Sequence, residues 1–133
     1  SEQLVHERIR TRRDQQRMTL ARRLGTHRRR LVDAVDVMER HIESPLSLAE
    51  VAQRSGVSLR HLQRLFDSEL KQSPRSWYLG LRLERAHYLL KETDLDVLSV
   101  GLACGFSSSS SFSRAFRSHY GVSPRQMRKA QDQ

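Results

Sequence analysis

Residues 47–74 read SLAEVAQRSGVSLRHLQRLFDSELKQSP, and residues 96–124 read DVLSVGLACGFSSSSSFSRAFRSHYGVSP. The second stretch restates the first. Val51, Ala52, Gly56, Val57, Phe66 and Ser73-Pro74 answer to Val100, Gly101, Gly105, Phe106, Phe116 and Ser123-Pro124. The offset is 49 residues before the glycine and 50 after it, so the second copy carries one extra residue in its turn. Such a repeat is one supersecondary unit used twice. Ser47 and Glu50 spell an S-x-x-E capping box, and Gly56 can take the left-handed conformation that ends the helix they open. Ser58 then caps a second helix to about Leu70. Helix, glycine-centred turn, helix is the unit with which many proteins enter a DNA groove.

Working outward, apolar residues Leu31, Val32, Val35, Met38 and Ile42 recur at helical spacing, and Pro45 is expected to end that helix. Ser73-Pro74 opens a longer helix, roughly residues 74–92, with Ser as cap and Pro in the first turn. Its apolar residues, among them Trp77, Leu79, Leu83, Ala86 and Leu90, fall on several faces, as in a helix buried between two bodies. Asp96 caps the next helix and Gly105 closes it. The run SSSSS, residues 107–111, lies between Gly105-Phe106 and Phe112, which reads as a helix start rather than a linker. That helix reaches Tyr120, and Ser123-Pro124 opens a short last helix through Arg128. The expectation is an all-α fold of seven helices: two helix-turn-helix subdomains, residues 31–72 and 94–130, joined by a connecting helix over residues 73–93.

The chain has 133 residues and a formal net charge of +9, enough for one ordinary domain with a basic footprint. The charge is uneven. Residues 1–30 hold ten arginines against three carboxylates, leaving the rest of the chain barely basic. Residues 1–30 therefore read as a basic arm or linker, and the remaining cations must be sorted onto one face if the repeats bind DNA. No apolar run approaches the ~20 residues that span a bilayer, so no membrane partner is expected. The single cysteine, Cys104, fits a reducing compartment and a small buried hydrophobe, and the inferred location is the cytoplasm, at the nucleoid. Ser1 suggests a fragment whose native N-terminus is unseen.

The two repeats turn similar faces outward. On a helix advancing about 100° per residue, Arg60, Gln63, Arg64 and Asp67 cluster opposite Leu62, Leu65 and Phe66. Ser110, Ser113, Arg114 and Arg117 cluster in the same way opposite Phe112, Ala115 and Phe116. Arginine can pair with guanine O6 and N7, and glutamine with adenine N6 and N7, so the first face suits direct base readout in the major groove. Serine discriminates poorly, so the second face is expected to read mainly through water, phosphate and DNA shape. Arg82 and Arg85 on the connecting helix are open to either phosphate contact or a solvated, ion-paired role.

GVSLRHLQRLF, LRLERAHYLL, ACGFSSSSSFSRAF and GVSPRQMR together resemble the DNA-binding domain of the AraC/XylS family of bacterial transcription regulators, over about residues 31–130. By that resemblance, base-contacting positions fall on Arg60, Gln63 and Arg64 in the first reading helix, and on Ser109, Ser110, Ser113 and Arg114 in the second. HERIRTRRDQQRMTLARRLG and VMERHIESPLSL are similar to the subgroup with an amidotransferase-like N-terminal sensor domain. The resemblance implies an activator more than a repressor, RNA polymerase as a second partner, and control of amino-acid or quaternary-amine metabolism. Dimerisation would belong to the missing N-terminal half, leaving this piece monomeric. Two departures from the family pattern stand out: Gly101 occupies a mid-helix site, which costs up to ~1 kcal/mol relative to Ala, and Met127 replaces a frequent aromatic. Both are expected to soften the second subdomain.

Enzymatic function is not expected. The six histidines are dispersed, none at metal-ligand spacing with Cys104 or a carboxylate, and there is no glycine-rich phosphate loop, so neither metal nor cofactor is implied. The alternatives to specific DNA binding are a protein-interaction module that meets RNA polymerase, and a non-specific basic DNA-binding protein.

Overall fold

The computed structural model describes residues 28–132, and the arm of the sequence reading lies almost wholly outside them. Among the described residues there are seven helices and no strand. They are α1 (Arg29–Arg40), α2 (Leu48–Arg54), α3 (Leu59–Leu70), α4 (Pro74–Glu92), α5 (Val97–Ala103), α6 (Ser109–Tyr120) and α7 (Pro124–Asp132).

The starts are local chemistry. The Ser47, Ser58, Ser73, Asp96 and Ser108 side chains each accept the backbone N–H three residues on, which satisfies an amide with no partner inside the helix. The box at Ser47 is incomplete: its hydroxyl donates to the Glu50 carboxylate at 3.4 Å. The reciprocal box forms at α7, where Gln126 Oε1 accepts the Ser123 N–H at 2.9 Å and Ser123 Oγ accepts the Gln126 N–H at 3.1 Å. Gly56, Gly105 and Gly121 lie at φ of 76°, 87° and 80°, the left-handed region open to glycine at little cost.

Two ends differ from the sequence reading. Helix α1 stops at Arg40, and Ile42 sits beyond it, packed against the second core rather than the first. Helix α7 continues past Arg128 to Asp132. Arg128 is held by the chain it packs on, donating to the carbonyls of Leu90 (3.2 Å), Thr93 (3.1 Å) and Leu95.

The core is in two parts. Leu31, Ala34, Met38, Val51, Leu62 and Phe66 anchor the first, and Leu83, Leu90, Val100, Cys104, Phe112 and Phe116 the second. Helix α4 serves both: Tyr78 and Leu81 belong to the first cluster, Leu83, Ala86, Leu89 and Leu90 to the second. That double duty is why its apolar residues fall on several faces.

The repeat is larger than the two quoted stretches. RLVDAVDVM at residues 30–38 of α1 matches RLERAHYLL at residues 82–90 of α4. Leu31, Ala34, Val37 and Met38 are buried, and so are Leu83, Ala86, Leu89 and Leu90. Each unit is thus three helices, α1–α3 and α4–α6, followed by a fourth that closes it, α4 for the first and α7 for the second.

Candidate nucleic-acid interface

The turn that joins α2 to α3 is built like the one that joins α5 to α6. Val57 N–H donates to the Ala52 carbonyl and Phe106 N–H to that of Gly101, both at 3.0 Å. Helices α2 and α5 have 7 residues each, and α3 and α6 have 12. Fully buried Leu62 and Phe66 hold α3 to its core, and Phe112 and Phe116 hold α6. The extra residue of the second copy lies between Phe106 and the Ser108 cap.

An arginine from the preceding helix braces each turn. Arg30 Nη1 donates to the Ser55 carbonyl at 3.4 Å. Its counterpart Arg82 makes the stronger version, with Nε to Cys104 O and Nη2 to Gly105 O, both 2.9 Å, and its guanidinium 4.2 Å from the Phe106 ring centroid. Burial holds the Arg82 pKa below its ordinary value, with the phenol of Tyr78 and the thiol of Cys104 acting in the other direction. Arg82 is thus half-buried and held by backbone carbonyls. Its role escaped the sequence reading, although the shared Arg-Leu-x-x-Ala signal at residues 30–34 and 82–86 carries it.

With the packed faces anchored, the opposite faces are open. Arg60, Gln63 and Arg64 are exposed on α3, and make no hydrogen bond or ion pair through their side chains with any described residue. On α6, Ser109, Ser110, Arg114 and Arg117 are exposed and Ser113 is half-buried. The structure thus brings each set together on its own helix. Asp67, also exposed, interrupts the cationic face of α3 where α6 has Arg117.

A groove of about 620 Å³ runs beside α6, lined by Ser109, Ser113, Leu98, Asp96 and Arg125 among others. The matching positions of the first unit hold Leu59, Gln63, Ala49, Ser47 and Arg75. Hydrogen bonds from the backbone and side chain of Ser99 hold the Asp96 carboxylate below its ordinary pKa, so the groove carries both signs of charge. Arg125 was missed from sequence, although Ser-Pro-Arg recurs at residues 73–75 and 123–125.

Cys104 is fully buried, and burial pushes its thiol up to about 11, as suits a packing residue. Its counterpart Ser55 is buried too, and donates its hydroxyl to the Val51 carbonyl at 2.7 Å. Gly101 is not the weak point expected. A Cβ there would sit 2.9 Å from Phe112 Cδ2 and 3.0 Å from its Cγ, so the glycine admits the ring. Met127 is half-buried and packs against the same cluster.

These features match known proteins. A family model described as a helix-turn-helix domain matches residues 51–130. The HTH-type transcriptional regulator CdhR of Pseudomonas aeruginosa is 51% identical over 128 residues, 96% of this chain. A Chromobacterium violaceum transcriptional regulator with an AraC-type DNA-binding domain superposes with a TM-score of 0.74 at 45% identity, over 78% of this chain and 93% of that one. The chain belongs to the AraC-type helix-turn-helix regulators. The family is one of DNA-binding transcription regulators, not of enzymes. The DNA-binding domain of AdpA, solved in complex with a target DNA, is similar at a TM-score of 0.71 and 30% identity, over 75% of this chain and 90% of that one. The chain spans 38% of the length of CdhR, so it matches only part of such a regulator. No described helix is long and apolar enough to cross a membrane.

Proposed function

We propose that this chain reads specific double-stranded DNA with α3 and α6 in adjacent major grooves, and thereby activates bacterial transcription from the nucleoid. The observation that carries the reading is the pair of equivalent helices, each anchored by two fully buried side chains and open on the opposite face. The contacts are assigned to Arg60, Gln63 and Arg64 in one groove, and to Ser109, Ser110, Ser113, Arg114 and Arg117 in the other. Helix α4 has 19 residues, about 28 Å at 1.5 Å per residue, against the ~34 Å between successive major-groove faces. DNA bending absorbs the difference, at a cost of order 1–6 kcal/mol. The DNA complex of AdpA supports this use of the fold.

In domain terms, residues 31–72 and 94–130 form the two reading subdomains and residues 73–93 the connection. Sensing, RNA polymerase contact and any dimerisation belong to the whole regulator, whose other part we assign to an amidotransferase-like sensor domain.

The decisive experiment is selection of bound sequences from a random DNA pool by the purified chain. Two enriched half-sites about 10–10.5 base pairs apart, centre to centre, are expected. Recovery of no sequence, with weak and steeply salt-dependent binding, would identify a non-specific basic protein instead.

A further inference from the structure

The two units differ in one loop. Between α1 and α2 the chain runs through residues 41–47, whereas between α4 and α5 it runs only through residues 93–96. The first loop is thus three residues longer, and the excess reaches across the molecule. Ile42 packs against the second core cluster, while Leu46 and Leu48 pack against the first.

Two side chains one turn apart on α4 hold the parts that meet there. Tyr78 grips the long loop, donating its hydroxyl to the His41 carbonyl and accepting the Leu46 N–H at 3.1 Å. Arg82 grips the turn of the second unit through the Cys104 and Gly105 carbonyls, both at 2.9 Å. The loop and the turn then touch each other. A Cβ on Gly105 would lie 2.5 Å from Pro45 Cγ and 2.6 Å from the Ile42 carbonyl oxygen, so the two backbones meet with no room for a side chain. His41 is tied in as well, with Nδ1 2.8 Å from Val37 O and Nε2 3.3 Å from Arg54 Nη1.

We infer that this wedge, Ile42–Pro45 against Gly105 with Tyr78 and Arg82 behind it, fixes the angle and separation of α3 and α6, and so sets which half-site spacing the protein accepts. One helix alone would leave the two units free to bend and twist about it. The wedge adds a second connection on one side of α4, which turns a hinge into a strut. Ile42, Pro45, Tyr78, Arg82 and Gly105 are thereby positioning residues for specificity, although none of them reads a base.

The spacing part of the test rests on the proposed DNA reading, and the distance part does not. Cysteines at Ser68 and Ser118, exposed equivalents on α3 and α6, would carry spin labels in the full chain without DNA. Buried Cys104, its thiol pushed up to about 11, resists labelling and stays in place. A narrow distance distribution is expected, broadening in Ile42→Ala/Pro45→Gly and in Arg82→Lys, with helical circular dichroism and cooperative unfolding retained. A broad distribution in the parent chain, or an unchanged one in both variants, overturns the inference. On the selected DNA, inserting one base pair between half-sites is expected to weaken parent binding about tenfold or more, since the DNA must then deform. The variants should bind each isolated half-site like the parent and tolerate the insertion. Equal losses at every spacing would make these residues merely structural, and failure of any DNA to bind would sink the DNA reading while the distance result still decides the wedge.

Discussion

The two units solve one packing problem with different pairs of side chains. In the second unit Gly101 of α5 lies against Phe112 of α6, and the matching positions of the first unit hold Ala52 and Leu62, both buried in its core. The methyl group missing from the helix is offset by the larger ring on its neighbour, and Leu62 and Phe112 are both fully buried. The helix pairs keep their lengths and turn bonds through this exchange. Outward, Arg64 recurs as Arg114 but its neighbours do not: Arg60 and Gln63 stand where the second unit has Ser110 and Ser113. Volume is constrained inside because a dense core leaves no slack, while the open faces are free to diverge.

The strongest way to break this comparison is to mix the pairs. Gly101→Ala places a methyl 3.0 Å from Phe112 Cγ and 3.1 Å from its Cβ, atoms near the root of the side chain that ring rotation cannot move aside. Helix α6 must shift, and the expected loss is about 3 kcal/mol, at the upper end for overpacking. Phe112→Leu alone should cost about 1–2 kcal/mol by leaving a cavity. The double variant recreates the first unit's pair, and should recover at least ~1 kcal/mol over the sum of the singles. Urea unfolding of the four proteins measures the coupling. Simple additivity would mean that the glycine is not there for the ring.

The next effect sharpens the outward difference. Arg60→Ala should lose about 2 kcal/mol of discrimination at one or two base pairs of the selected site. Ser110→Ala, at the matching position of α6, should change the preference little, because a serine contact is readily replaced by water. Binding to a base-substituted site library distinguishes the two. Equal losses of preference from both variants would contradict the division into a directly read and an indirectly read half-site.

What could be read from sequence was the local part. Serine caps, turn glycines and the alternation of buried and exposed positions act over three or four residues, so the helices and the open faces of α3 and α6 follow from short stretches. What escaped depends on residues far apart in the chain. The Arg82 brace joins residues 22 and 23 positions away, and its counterpart Arg30 lies in a helix offset by 52 residues instead of 49, which hid the three-helix repeat. Gly101 looked like a defect because its helix propensity was visible and its approach to the Phe112 ring was not. Ile42 kept helical spacing yet left the helix, because the loop needed it against the second core.

The smallest expected effect concerns how the two reading helices end. Lys71 closes α3 at φ 57° and is the only non-glycine residue at positive φ among those described, whereas α6 closes with Gly121 at φ 80°. A side chain in that region crowds its own backbone, which disfavours it by roughly 1 kcal/mol relative to glycine. The lysine charge offsets part of this, since a cation at a helix C-terminus is worth about 0.3–1 kcal/mol. Lys71→Gly should therefore stabilise the chain by only about 0.5 kcal/mol at low salt, and by more at high salt, where the charge contribution is screened. The reverse change, Gly121→Ala, tests backbone strain alone, because nothing lies within 4 Å of the Cβ it would add. It should cost about 1 kcal/mol at any salt concentration. If Lys71→Gly destabilises the protein at high salt, the lysine must be held by packing, and backbone strain is not what distinguishes the two helix ends.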